Sequence, residues 1–215
     1  MRAVLILVGP SGVGKTTVAD EIISRHSDFK LVRSATTRQK RGDAYDSEYI
    51  YLSGEEFSKM VSDGEMLEHM VYGENMYGTP SSEIQRIFDE GKVPLLILDI
   101  NGVKSFREGN FGFRSVIFYL YDDINIIEQR LYDRYLKNNP GADNFFSFLS
   151  RKNANRRDYR EMRSIASLFD KFLKNETVIG TADAVYDSFN EILSDKALAV
   201  DERDRIAQML SDSVI

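Results

Sequence analysis

Cysteine is absent from the 215 residues, which excludes disulfides, thiolate metal sites and cysteine nucleophiles. Long apolar runs are also missing. The N-terminal run Ala3-Val4-Leu5-Ile6-Leu7-Val8 has six residues before Gly9, too short for a signal peptide or a membrane span, so the expectation is a cytoplasmic chain with no membrane partner. There is no excess of positive charge. The net charge of −6 argues against a general nucleic-acid binder and leaves room only for local basic surface. Histidine is scarce, and neither copy is assigned catalysis. His26 falls near a predicted helix C-terminus, where an imidazole suits the dipole, and His69 follows Glu68, so strand alternation points it to the opposite face.

With 42% apolar residues, the chain is long enough for one substantial core and a smaller lobe. Directly after the apolar run stands Gly9-Pro10-Ser11-Gly12-Val13-Gly14-Lys15-Thr16-Thr17. A loop with three glycines brings successive backbone N–H groups within reach of phosphate oxygens. Lys15 adds a point charge for the β/γ-phosphates, Thr16 a hydroxyl for Mg²⁺, and a helix predicted from about Lys15 to His26 aims its positive end at the anion. Strand signals at Ala3–Val8, Val93–Ile100, Ser115–Leu120 and Lys171–Leu173 alternate with helical stretches. Such alternation predicts an α/β fold with a parallel sheet covered by helices.

From about Lys30 to Tyr77 the pattern changes to short extended pieces (Tyr49–Leu52, Met66–Glu68) and one helix opened by a capping box, Ser53 with Glu56. This is the signature of an inserted lobe. It holds Ser34-Ala35-Thr36-Thr37-Arg38, Arg41, Tyr49, Glu68 and Tyr77-Gly78-Thr79. Guanidinium groups suit bidentate phosphate binding. A carboxylate such as Glu68 can accept from the N1 and N2 edge of guanine, with a hydroxyl such as Thr79 donating to O6.

A third cluster lies between Glu128 and Arg163, where nine basic residues face five acidic ones. Arg130 and Arg134 are four apart on one helix face. The loop signal Asn138-Asn139-Pro140-Gly141-Ala142-Asp143 joins them to a second helix bearing Arg151. Guanidinium groups that arrive on closure stabilise charge developing in phosphoryl transfer and exclude water.

In order and identity, the phosphate loop, Ser34-Ala35-Thr36-Thr37-Arg38 with Arg41, Leu67-Glu68, Tyr77-Gly78-Thr79, Leu98-Asp99-Ile100 and Arg130-Leu131-Tyr132-Asp133-Arg134 resemble the motifs of guanylate kinases over about residues 2 to 194. The resemblance implies a P-loop nucleoside-monophosphate kinase architecture: a core (1–33, 80–125 and 164–195), a GMP lobe of mixed α/β structure (34–79) and a helical lid (126–163). Residues 196–215 fall outside it as a tail, in which Ile206, Met209 and Leu210 have the spacing of a docking helix. Implied activity is transfer of the ATP γ-phosphoryl group to GMP by a monomer or homodimer. Gly9, Ser11, Gly12, Val13, Gly14, Lys15, Thr16, Thr17, Arg130 and Asn175 would hold ATP, and Thr16 with Asp99 would serve Mg²⁺. Ser34, Arg38, Arg41, Tyr49 and Tyr77 would hold the GMP phosphate, Glu68 and Thr79 the base, with Asp99 nearby; Lys15, Arg38, Arg134 and Arg151 would stabilise the transferring group.

Three departures accompany the resemblance. Asp99-Ile100-Asn101-Gly102 keeps one aspartate where these kinases usually have two, the residues around Asn175 differ, and the lid loop is longer, with Phe145-Phe146-Phe148 read as packing or as a closing contact. Two further readings stay open on residues alone: a kinase for another phosphorylated acceptor such as dGMP, and a silent interaction module.

Overall fold

A computed structural model describes residues 2–40, 42, 44–137, 142–194 and 200–214. Met1–Ile6 with Ile23–Ser115 form one compact unit, and Leu7–Ile22 with Val116–Ile215 form a second. Strand β1 (Ala3–Val8) carries the chain from the first into the second, with all six residues buried. A run buried on both faces needs no polar alternation, which is why β1 reads as unbroken aliphatic sequence.

In the first unit, β2 (Phe29–Leu31) pairs in parallel with β7 (Val93–Ile97), Phe29 facing Val93. A second sheet holds β3 (Ser34–Thr36), β4 (Tyr49–Tyr51), β5 (Met66–Tyr72) and β6 (Asn75–Pro80) in the order β4-β3-β6-β5. There β3 runs parallel to β4 and antiparallel to β6. Helix α2 (Gly54–Ser62) begins at Ser53 with the full capping box expected from Ser53 and Glu56, and its buried Phe57 underlies the sheet. The register pairs Ser34 with Tyr49, Thr36 with Tyr77 and Glu68 with Thr79.

The strand expected at Val93–Ile100 stops at Ile97, and Ile100 instead opens α4 (Ile100–Glu108). Asp99 sets that boundary. Its backbone is extended and its carboxylate accepts from the Gly102 N–H at 2.8 Å, an N-cap that starts the helix earlier than apolar run length suggests.

Helix α3 (Ser81–Asp89) carries Glu83, whose side chain is 6% exposed between two forks. Arg33 donates Nε and Nη2 at 3.0 and 2.7 Å, and Arg86 donates Nε and Nη2 at 3.1 and 2.9 Å. Burial opposes the charge, but the hydrogen bonds from both arginines outweigh it and hold the Glu83 pKa at about 2, below its ordinary 4.5. A folded pKa below the unfolded one means that this stability is present above pH 4.5 and is lost as the pH falls toward 2. Both arginines are partly exposed, so solvent screening trims the gain. Glu83→Gln is expected to lower the unfolding free energy at neutral pH by about 2 kcal/mol and to flatten the acid limb of a urea-midpoint series in that window. An unchanged acid limb would refute the assignment.

In the second unit, β8 (Arg114–Tyr121) pairs in parallel with β9 (Lys171–Lys174). Tyr119, Phe169 and Phe172 pack ring to ring at 4.9 to 5.5 Å beneath them. Helices α1 (Lys15–Arg25), α5 (Ile124–Lys137), α6 (Ala142–Arg160), α7 (Met162–Ile165), α8 (Val178–Leu193) and α9 (Val200–Asp212) complete the described elements. Phe145 and Phe148 of α6 pack with Tyr135 of α5 at 5.7 to 6.0 Å, while Phe146 is 69% exposed. Phe145 and Phe148 thus join an aromatic cluster between α5 and α6, of which Phe145 stays 41% exposed. The tail docks through Ala207, Leu210 and Val214, and Met209, expected on that face, is exposed instead. Of the spacing read in the sequence, Leu210 is buried as expected and Ile206 is half-buried, while Ala207 rather than Met209 completes the buried face.

Candidate active site

Each glycine of the phosphate loop answers to a neighbour. At Gly9, φ is +148° and a Cβ would lie 2.2 Å from the Leu120 carbonyl oxygen; at Gly14, φ is +100° and a Cβ would lie 2.7 Å from Asn175 Nδ2. Any side chain at either place would push the loop off its seat. Inside the loop the Val13 N–H donates to the Pro10 carbonyl at 3.2 Å, and Lys15 Nζ donates to the carbonyls of Gly9 at 2.7 Å and Pro10 at 3.1 Å. Those bonds hold the ammonium over the loop. Lys15 and Thr16 occupy the first turn of α1, whose unpaired N–H groups and dipole favour an anion there, and Thr17 is exposed.

Asn175 is buried, with Nδ2 donating to the Val13 carbonyl at 2.6 Å. Its amide is a brace for the loop, a role the sequence did not reveal. Asn155 on α6 is a second brace, bonded to both backbone groups of Ser11, and Arg151 Nη1 reaches Ser11 Oγ at 3.4 Å. The spacing of Arg151 and Asn155, four apart on one helix face, is the signal that could have found it.

Part of the basic surplus between Glu128 and Arg163 is paired inside the fold. Arg130 pairs with buried Asp122 at 3.0 Å. Glu128 on α5 receives Arg156 at 2.5 Å and Lys152 at 3.0 Å; burial opposes its charge, but those hydrogen bonds hold its carboxyl below the ordinary range. Tyr159 Oη donates to the Asp122 carbonyl at 2.8 Å. Arg134 lies on the exposed side of α5.

In the first unit, Arg38 is 8% exposed, its guanidinium 4.5 Å from the Tyr49 ring centre and 5.4 Å from that of Tyr51. Stacking of this kind suits a planar cation that must be held in one orientation. Arg38 Nη1 donates to the Gln39 carbonyl at 3.0 Å, and Nη2 faces Asp46 Oδ1 at 3.4 Å. Asp46 accepts also from Tyr51 Oη and, at 2.8 Å, from the Gly42 N–H. Ser34, Tyr49 and Tyr77 are half-buried on the same sheet. Arg41 lies outside the described residues, as does 138–141 of the lid loop.

Glu68 is buried while His69, its neighbour on β5, is exposed, as strand alternation requires. Thr79 Oγ1 donates to Glu68 Oε1 at 2.6 Å. Burial pushes the Glu68 carboxyl up, the Thr79 hydrogen bond pulls against it, and the negative Asp99 raises it further; the net direction is up. A Cβ at Gly102 would sit 3.4 Å from Glu68 Oε2, so the start of α4 closes on the second carboxylate oxygen.

A glycine-rich loop between a buried strand and a helix, on a sheet with parallel pairs, places the chain in the P-loop class of α/β proteins. Within that class, the chain belongs to the guanylate kinase family, whose model matches residues 1–195. A guanylate kinase of Clostridium perfringens (strain SM101 / Type A) is 39% identical over 140 residues, 62% of this chain and 62% of that protein, so the chain spans less than two thirds of that relative's length in the match. One of Clostridioides difficile (strain 630) is 31% identical over 186 residues, 84% of this chain and 83% of that protein. The crystal structure of guanylate kinase from Anaplasma phagocytophilum shares the fold, with a TM-score of 0.62 and 23% identity over 88% of this chain and 85% of that one. Helix α9 lies beyond the family match. Among the described residues no helix is long and apolar enough to cross a membrane.

Proposed function

We propose that this chain transfers the γ-phosphoryl group of ATP to GMP, giving ADP and GDP, by in-line displacement. The observation that carries the reading is the buried Glu68–Thr79 pair in a chain that also has a complete phosphate loop. A buried carboxylate has the acceptors that the N1–H and N2–H edge of guanine requires, and the Thr79 hydroxyl, which here donates to Glu68, would turn to donate to O6 when the base is bound. Lys15 would meet the β/γ-phosphates, with the backbone of Gly9, Ser11, Gly12, Val13, Gly14, Thr16 and Thr17 around them and Arg130 and Asn175 on the nucleotide side. Ser34, Arg38, Arg41, Tyr49 and Tyr77 would fix the acceptor phosphate, already anionic near neutral pH, so that no strong base is needed.

A divalent ion fits the donor set as a companion of the triphosphate. Thr16 offers one hydroxyl and Asp99 one carboxylate whose Oδ1 already caps α4. Among the described residues no group of three or more acidic or histidine side chains forms a metal site. Magnesium is held by waters and phosphate oxygens with few protein ligands, and when bound it would neutralise charge on the transferring phosphates. Residues 34–79 would act as the acceptor lobe and 126–163 as the lid, in which Arg151 already stands at the phosphate loop and Arg134 would join it at the transfer.

The test is ADP formation from ATP and Mg²⁺ with GMP, dGMP, AMP, CMP and UMP supplied separately. Turnover at least about a hundredfold faster with GMP than with AMP is expected, because a site built for hydrogen bonding rejects analogues that leave its polar groups unpaired. Equal turnover of GMP and AMP would overturn the assignment of Glu68, and no turnover with any acceptor would overturn the kinase reading.

A further inference from the structure

Asn155 sets its carboxamide flat against the backbone of Ser11. Its Oδ1 accepts from the Ser11 N–H at 2.8 Å and its Nδ2 donates to the Ser11 carbonyl at 2.9 Å, in a position only 2% exposed. The pair of bonds fixes the amide orientation, because the flipped amide would oppose donor to donor and acceptor to acceptor. Ser11 lies between Pro10, which has no N–H to contribute, and Gly12, whose backbone is the most conformationally free. Ordering such a segment costs conformational entropy, and its N–H groups form an anion cradle only when they are held in one arrangement.

The helix that makes this grip is itself braced. Lys152 and Arg156 bind Glu128 on α5, and Ser211 Oγ of α9 donates to the carbonyls of Tyr159 and Arg160 in the last turn of α6, at 3.1 and 3.0 Å. One turn before Asn155, Arg151 points to the Ser11 hydroxyl. The loop is thereby gripped at Ser11 from α6 and at Val13 by Asn175.

We infer that Asn155 is a positioning residue for the phosphate loop: it holds the Ser11 segment in its anion-binding arrangement and ties the triphosphate seat to the helix that carries Arg151. This rests on the ATP reading above. Asn155→Ala is expected to weaken ATP binding, measured by titration calorimetry on the full chain, about tenfold, the loss of order one net hydrogen bond. The KM for ATP should rise in parallel while the KM for GMP stays within twofold. A residue that only stabilised the fold would lower the active fraction and leave both KM values alone. Asn155→Asp adds a pH signature. Ionised, its carboxylate repels the Ser11 carbonyl; protonated, it regains a donor, so ATP affinity should recover on acidification, relative to wild type, in this variant and not in Asn155→Ala.

ATP affinity of Asn155→Ala within twofold of wild type would overturn the inference. Wild-type chain that binds no ATP would instead defeat the functional reading, and the same titration shows this before any variant is made. If Asn155→Ala does not fold, amide exchange at Ser11 in the nucleotide-free wild type decides by NMR. At least tenfold slowing relative to an unstructured peptide is expected, and exchange at the unstructured rate refutes the grip.

Discussion

Lys15→Met should lower kcat by about 10³-fold, at the upper end of what removal of one preorganised charge-stabilising donor costs, with little change in thermal midpoint. The ammonium of Lys15 rests on the carbonyls of Gly9 and Pro10, acceptors supplied by the loop that it serves. A cation held there needs no search to meet the charge that spreads over the transferring oxygens. Methionine keeps the unbranched reach of the side chain and removes only the charge and its donors, and Lys15 lies half-buried outside the apolar core, so the fold loses little. Lys15→Arg is the companion. It retains the charge, but a planar fork replaces a compact ammonium, so it should recover only a small part of the rate. Steady-state ADP release together with thermal unfolding followed by circular dichroism separates the two effects. If Lys15→Met turned over within tenfold of wild type, the loop would bind phosphate without contributing to transfer.

What could be read in the chain beforehand followed from where local signals dominate. Strand β1, the loop after it, the start of α1 and the Ser53–Glu56 capping box are written in short stretches whose meaning depends on neighbours a few residues away. The opposed faces of Glu68 and His69 follow from period-two alternation alone. Strands β3 and β6 were not legible. Their residues include Ser34, Asn75, Gly78 and Pro80, poor strand formers individually, and they become strands because distant partners supply the hydrogen bonds. Gly78 in particular is dictated across the sheet, since a Cβ there would lie 2.8 Å from the Glu68 carbonyl oxygen.

The stretch from Glu128 to Arg163 shows a second limit. Counting charges between Glu128 and Arg163 predicts a basic surface waiting for phosphate. The fold instead assigns Lys152 and Arg156 to Glu128 and Arg130 to Asp122. Net charge counts groups without saying which are already paired, and pairing is decided by which helix faces meet. Asn155 is legible only in part: its spacing from Arg151 puts the two on one helix face, but which backbone that face meets is decided by the fold.

Glu68→Gln is expected to raise the KM for GMP by about 10²-fold or more with a smaller change in kcat, because it exchanges an acceptor for a donor at a site where guanine itself would donate. In the folded chain Thr79 already occupies one lone pair of Oε1, and burial, moderated by that bond and reinforced by the negative Asp99, shifts the carboxyl upward. The shift has a functional sign. Protonation turns one of the two acceptor oxygens into a donor, so GMP affinity in the wild type should decline on acidification from a higher pH than an ordinary exposed carboxylate would give. Glutamine does not titrate, so the KM of Glu68→Gln should be flat over the same range. Discrimination should collapse as well. Inosine monophosphate lacks the N2 amino group, and the variant should accept it nearly as well as GMP, whereas the wild type should prefer GMP. The decisive measurement is the KM for both monophosphates as a function of pH in both proteins. A wild-type profile parallel to that of the variant would remove Glu68 from the base site and leave its burial beside Thr79 as a feature of the lobe's folding alone.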